Sequence, residues 1–225
     1  MIESDIAFPL VRRHCSALLL ILSLGGAWAA SADGGSRPGT APGIVVIGDS
    51  LSAEYGLKRG TGWVALLQER LATEKHGVQV VNASISGDTT AGGLNRLPAL
   101  LAQHKPAIVV IELGGNDALR GLPLGATRNN LKVMAETAQA AGAKVLLIGM
   151  QVPPNYGQDY TKQFFETFAS VARETKSALV PFLLKGIADA PNAETLFQAD
   201  RIHPVEAAHP TILNNVWPAL KRLLP

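Results

Sequence analysis

Val45-Val46-Ile47-Gly48-Asp49-Ser50-Leu51-Ser52 sets a short β-branched run against a glycine and a serine on a tight turn. The run predicts a buried strand over residues 44–47, and Gly48 allows the backbone to turn sharply directly after it. Ser50 is thereby expected where a strand gives way to a loop, and its hydroxyl becomes the first candidate for chemistry.

Downstream, short apolar runs alternate with longer helical patterns, the mark of a parallel sheet wrapped by helices. A helix is predicted over 62–71, with Val64, Leu67 and Leu71 on one face. Strand two is Val78 to Ala83, followed by the Ser-Ile-Ser-Gly-Asp-Thr-Thr loop and a helix to about Gln103. Ala107 to Leu113 reads as strand three, its near-continuous β-branched run suiting burial on both faces. Gly114-Gly115-Asn116-Asp117 forms a second glycine-rich loop, and a helix over 127–141 ends at Gly142. Strand four is Lys144 to Met150, and the proline-rich 151–159 loop follows it. A helix over 160–175, a short strand near 179–183 and a closing helix over 206–223 complete the pattern. Pro210 in that last helix is tolerable only near its start. The expectation is one three-layer α/β/α domain of flavodoxin-like type over 44–225, with a five-stranded parallel sheet.

Residues 1–29 are set aside from this reading. Arg12, Arg13 and His14 precede an apolar run from Ala17 to Leu24, and Ala27-Trp28-Ala29 offers a small-x-small cleavage site. The apolar core spans about ten residues, against the roughly 20 needed to cross a bilayer. A signal peptide cleaved near Ala29 is therefore expected, with a periplasmic or secreted product. A glycine- and proline-rich leader over 30–43 precedes the domain. The single cysteine, Cys15, falls inside the signal, so a mature chain has no disulfide, cysteine-ligated zinc or cysteine nucleophile. The formal charge is +2 with no Lys/Arg block, which gives no electrostatic footprint for nucleic acid.

In an open parallel sheet, ligands bind beyond the carboxyl ends of the strands. The three loops leaving strands one, two and three carry Gly48-Asp49-Ser50, Ser86-Gly87-Asp88 and Gly114-Gly115-Asn116-Asp117. Their glycines let backbone N–H groups approach a common point. Ser50 could act as nucleophile, with its own N–H, the Gly87 N–H and the Asn116 carboxamide facing a developing oxyanion. His203 is the candidate base and Asp200, three residues earlier, could orient it, a triad in the chain order Ser, Asp, His. An imidazole base implies activity that rises from acid toward neutral pH. Read singly, Ser50 fits a helix cap and Asn116 with Asp117 a plain turn. His76, His104 and His209 read as helix-end or polar residues.

Gly48-Asp49-Ser50-Leu51-Ser52, Gly87, Gly114-Gly115-Asn116-Asp117 and Asp200-Arg201-Ile202-His203-Pro204 together resemble the four blocks of the SGNH (GDSL) hydrolases. The resemblance runs from about Ile44 to the C-terminus. It is most similar to the thioesterase, lysophospholipase and arylesterase branch, which shares Asn82-Ala83-Ser84-Ile85-Ser86-Gly87-Asp88-Thr89, Arg96-Leu97-Pro98-Ala99-Leu100 and Pro154-Asn155-Tyr156-Gly157. It implies that Ser50, Asp200 and His203 form the triad and that Ser50, Gly87 and Asn116 form the oxyanion hole. It further implies a serine esterase acting on acyl esters and thioesters, such as aryl esters, acyl-CoA or lysophospholipids; a monomer with no metal or cofactor and with transient lipid contact is expected.

Leu119, Leu122, Pro153 and Tyr156 are candidates to line an acyl groove, since such sites are mostly apolar. Glu54 is expected to bring charge to the mouth of the site, and Asp49 to bond loop backbone. Carbohydrate O-deacetylation on the same scaffold is the alternative activity. A non-catalytic nucleotide-binding module lacks G-x-G-x-x-G and G-x-x-x-x-G-K-[ST] after strand one, while G-x-S-x-G and H-E-x-x-H are also missing.

Overall fold

The computed structural model describes residues 41–74 and 76–224. The expected signal segment, and the leader up to residue 40, lie outside the described residues.

Five parallel strands form one sheet in the order β2-β1-β3-β4-β5. They are β1 (Ala41–Gly48), β2 (Val78–Asn82), β3 (Ile108–Glu112), β4 (Lys144–Ile148) and β5 (Ala178–Val180). The helices are α1 (Trp63–Thr73), α2 (Thr90–His104), α3 (Gly115–Leu119), α4 (Leu124–Ala140), α5 (Gln158–Thr175) and α6 (His209–Lys221). α1 packs beside α6, while α4 packs between α2 and α5, giving the layers of a flavodoxin-like α/β/α domain. Strand order reverses at β1, which has β2 on one side and β3 on the other. That reversal opens a crevice at the carboxyl ends of β1 and β3.

The local sequence explains each layer. β3 is buried at every position, as its β-branched Ile-Val-Val-Ile run before Glu112 favours. α1 buries Trp63, Val64, Leu67 and Leu71, a helical spacing that points one stripe at the sheet. Thr89 caps α2 by accepting the Gly92 N–H at 3.3 Å, and α2 ends at Lys105 in the left-handed region.

Several boundaries differ from expectation for identifiable reasons. β1 begins at Ala41 rather than at residue 44, because Ala41 already pairs with Val78 across an irregularity in the ladder. β5 stops at Val180, since Pro181 has no N–H to continue the ladder. The closing helix starts as a 3-10 turn over Glu206–Ala208, and the α-helix takes over at His209 with Pro210 in its first turn. The loop expected over 114–117 instead opens a short helix, α3. It is too short for an apolar period to show, and Gly114 turns the chain into it at φ 121°.

Two polar residues take other roles than expected. His209 is buried and not a solvated helix-end residue: its Nδ1 accepts the Trp63 N–H at 3.0 Å, tying the start of α6 to the start of α1. Burial holds its imidazole below the usual pKa. Glu54 turns away from the mouth of the site. Its carboxylate accepts the N–H groups of Gly60 at 3.0 Å and Gly62 at 2.8 Å, closing the turn that leads into α1.

Candidate active site

The turn after β1 is folded around Asp49. The Leu51 N–H donates to its Oδ1 at 3.0 Å, and the Ala53 N–H to its carbonyl at 2.9 Å. Ser50 is left half-buried at the crevice. Its N–H has no acceptor among the described residues.

His203 reaches this serine from 153 positions away in sequence: Nε2 lies 2.9 Å from Ser50 Oγ. Nδ1 lies 2.7 Å from Asp200 Oδ2. Asp200 also builds the turn that carries the histidine, because its Oδ1 accepts the N–H groups of Ile202 at 2.9 Å and His203 at 3.0 Å. The His203 N–H, above all, pulls the Asp200 carboxyl down to about 2. An ionised carboxylate accepts a hydrogen bond from Nδ1–H, which fixes the proton on that nitrogen and leaves Nε2 as the acceptor facing the serine hydroxyl.

The loop bearing Asp200 and His203 is held by an antiparallel bridge between Phe197 and Pro204 and by Gln198, whose Nε2 donates to the carbonyls of Tyr55 and Pro204 at 3.0 Å each. The Tyr55 ring lies 4.3 Å from the imidazole, centroid to centroid.

The oxyanion candidates converge on the same cleft. Gly87 adopts φ 79°, a conformation that side chains disfavour, and Arg120 Nη2 donates to its carbonyl at 2.7 Å. Asp88, next in the loop, pairs with Arg96 Nη2 at 2.6 Å. Asn116 sits in the first turn of α3 and donates Nδ2–H to Asp49 Oδ2 at 3.0 Å. Asp117 is buried behind it, accepting the Thr90 N–H at 2.9 Å and so locking α3 against α2.

Two carboxyls lie under the turn that carries Ser50. Glu112, at the end of β3, accepts the Ser52 hydroxyl at 2.7 Å, and Ser52 in turn accepts the Trp63 indole N–H at 3.2 Å. Burial pushes Asp49 up to about 6. Burial, then the charge of Asp49, pushes Glu112 well above the usual carboxyl range.

The cleft has a volume of about 710 Å³. Met150, Val152, Phe182, Leu184 and Phe197 form an apolar wall on it, and Leu119 and Pro153 also line it. Leu122 and Tyr156, candidates for the same groove, do not. Leu122 follows α3 on its exposed side, and Tyr156 stacks on Tyr160 with ring centroids 6.4 Å apart.

Tyr55, Glu112, Arg120 and Arg201 also line or brace the site. Of these, only Glu112 carries a signal in the sequence, a lone acid closing a buried Ile-Val-Val-Ile run. Among the described residues there is no cluster of three or more His, Cys, Asp or Glu able to hold a metal, and no helix long and apolar enough to cross a membrane.

A flavodoxin-like sheet with serine, histidine and aspartate in hydrogen-bonded series at its carboxyl edge defines the class of serine hydrolases. Within that class, the chain belongs to the GDSL-like Lipase/Acylhydrolase family, which it matches over residues 46–210. It is 58% identical over 181 residues to Esterase TesA of Pseudomonas aeruginosa, covering 80% of this chain and 89% of that protein. It is 40% identical over 189 residues to Thioesterase 1/protease 1/lysophospholipase L1 of Escherichia coli K12, covering 84% and 86%. The crystal structure of the psychrotrophic esterase EstA from Pseudoalteromonas sp. matches with a TM-score of 0.75 at 41% identity, covering 80% of this chain and 97% of that one. The protein is accordingly an enzyme, an esterase of the SGNH type with small ester substrates.

Proposed function

We propose that Ser50 attacks the acyl carbon of carboxylic esters and thioesters and carries the acyl group as an enzyme intermediate. The observation that carries this reading is the series Ser50 Oγ, His203 Nε2, His203 Nδ1, Asp200 Oδ2, joined at 2.9 and 2.7 Å. His203 takes the serine proton as the bond to the carbonyl carbon forms, and returns it to the departing alcohol or thiol. Asp200 holds the ring and offsets the charge of the imidazolium. The N–H groups of Ser50 and Gly87 and the Asn116 carboxamide stabilise the tetrahedral oxyanion. A water molecule then repeats the sequence and frees the acid.

The apolar wall from Met150 to Phe197 supports an acyl-chain subsite, and aryl esters, acyl-CoA and lysophospholipids are the substrates that fit it. Tyr55, Leu119 and Ile202 are exposed at the cleft, which supports transient contact with lipid. The enzyme works as a monomer, exported by a signal over 1–29 cleaved near Ala29, with 44–225 as the catalytic domain. N-terminal sequencing of the mature protein tests the cleavage.

A fluorophosphonate probe tests the nucleophile. The parent enzyme is expected to be labelled and Ser50→Ala to remain unlabelled, with turnover of p-nitrophenyl butyrate lost. Equal labelling of the two would overturn the assignment.

A further inference from the structure

Arg201 stands between Asp200 and His203 with φ 59°, in the left-handed region that favours glycine. The turn does not require an arginine. Asp200 Oδ1 organises it through the N–H groups of Ile202 and His203, and the Arg201 N–H goes to the Gln198 carbonyl at 2.9 Å. Glycine could make that same backbone bond without strain, so the reason for a long cationic side chain lies beyond the turn.

Arg201 lines the cleft together with Ser50 and His203. It is the one Lys or Arg among the described residues of that lining, and no described carboxylate lies within ion-pair distance of it. Of the carboxylates that line the cleft, Asp49 is buried against Leu51 and Asn116, and Asp189 accepts the Gly186 N–H of its own loop. An exposed guanidinium thus borders a cleft lined largely by apolar side chains.

An acyl chain on that lining carries no charge for a guanidinium to meet. The charge of an ester or thioester substrate resides in its leaving group, and the planar fork of arginine matches phosphate oxygens two at a time. We infer that Arg201 is a specificity residue whose side chain binds a phosphate carried by the leaving group. This rests on the esterase reading of the cleft. Phosphate of this kind occurs in a lysophospholipid headgroup and in coenzyme A.

The test compares substrates that share an acyl chain and a scissile bond and differ in phosphate. One pair is octanoyl-CoA and octanoyl-N-acetylcysteamine. The other is 1-octanoyl-glycerophosphoglycerol and 1-octanoylglycerol. The readout is the ratio of kcat/KM within each pair, because any effect of the substitution on triad geometry acts on both members and cancels. Arg201→Gly removes the charge and relieves the backbone. It is expected to lower at least one ratio by roughly tenfold, as loss of a charge-assisted hydrogen bond does, with Arg201→Lys retaining part of it. A fall in the thioester pair alone identifies coenzyme A as the source, and a fall in the glycerol pair alone identifies the lipid headgroup. Ratios unchanged or raised in Arg201→Gly, with Ser50→Ala inactive, overturn the role of Arg201 and leave the serine mechanism standing. Full turnover by Ser50→Ala would overturn the esterase reading itself and Arg201 with it.

Discussion

Asn116 and Asp49 are joined by a 3.0 Å hydrogen bond in which the carboxamide Nδ2–H donates to a carboxylate 67 residues away. One N–H of the amide is committed to orientation, and the other is left to serve the cleft. Asp49 thereby orients Asn116, the proposed oxyanion donor, while also closing the turn that presents Ser50.

Kinetics on single and double variants should show this coupling. Asn116→Ala is expected to lower kcat for p-nitrophenyl butyrate by about 100- to 1,000-fold, the usual loss of one oxyanion donor. Asp49→Asn should lower kcat by roughly tenfold with little change in KM, since misorientation weakens the same donor. The double variant should be no slower than Asn116→Ala alone, because both changes act through one group. Multiplicative losses would show that Asp49 works by another route.

The buried acid beneath Ser50 gives stability a pH dependence of unusual sign. Asp49 is raised from 3.8 to about 6 by burial, so the native state binds more protons than the unfolded chain between those values. Its ionisation therefore costs stability as pH rises through that window, by roughly 3 kcal/mol over the whole of it. Glu112, also raised, acts in the same direction. Asp200 acts oppositely: its carboxyl is lowered to about 2, so its stabilisation is present above 3.8 and lost as pH falls toward 2. Urea unfolding of parent and Asp49→Asn at pH 4, 5, 6 and 7 isolates the first effect. The parent's stability relative to the variant should fall between pH 4 and 6, and a flat or rising difference would contradict it.

Glu54 should matter to folding rather than to substrate choice. Its carboxylate receives backbone N–H groups from Gly60 and Gly62, and Glu54 itself sits at φ 61°. Glu54→Ala is expected to destabilise the domain by about 1–2 kcal/mol, as loss of a cap does. A panel of p-nitrophenyl esters from acetyl to decanoyl should give the parent's chain-length profile. A shifted profile at unchanged urea midpoint would return Glu54 to the mouth of the site.

Arg120 pins the carbonyl of Gly87 at 2.7 Å and thereby steadies a loop whose glycine occupies a left-handed conformation. Arg120→Ala is expected to reduce kcat by roughly three- to tenfold, because a donor held less firmly is worth less in the transition state. Arg120→Lys should recover part of the loss. An unchanged kcat in Arg120→Ala would show that Gly87 is held by its own loop.

Much of the fold was legible because helices and strands announce themselves through periods of 3.6 and 2 residues and through glycine and proline punctuation. The all-buried run of β3 and the stripe of Trp63, Val64, Leu67 and Leu71 are of this kind. Where the sequence misled, a partner distant in the chain decided the outcome. His209 reads as polar until Trp63 is brought to it, and Glu54 reads as free charge until Gly60 and Gly62 close on it. Leu122 and Tyr156 have suitable chemistry for an acyl groove, but the turn after α3 and the stack on Tyr160 direct them elsewhere.

The sequence by itself determined a parallel α/β domain and three glycine-bearing loops at its strand ends, since these depend on local periodicity and residue type, and its resemblance to the SGNH hydrolases pointed to Ser50, Gly87, Asn116, Asp200 and His203 as the proposed set. Tertiary structure alone decided that His203 Nε2 meets Ser50 Oγ, that Asp49 aims Asn116, that Arg120 holds Gly87 and that Arg201 borders the cleft. Those relationships span 33 residues for Arg120 and Gly87 and 153 for His203 and Ser50, and no local propensity encodes them. They arise when the strand-order reversal at β1 brings the carboxyl ends of β1 and β3, with the loops that flank them, to one edge of the sheet.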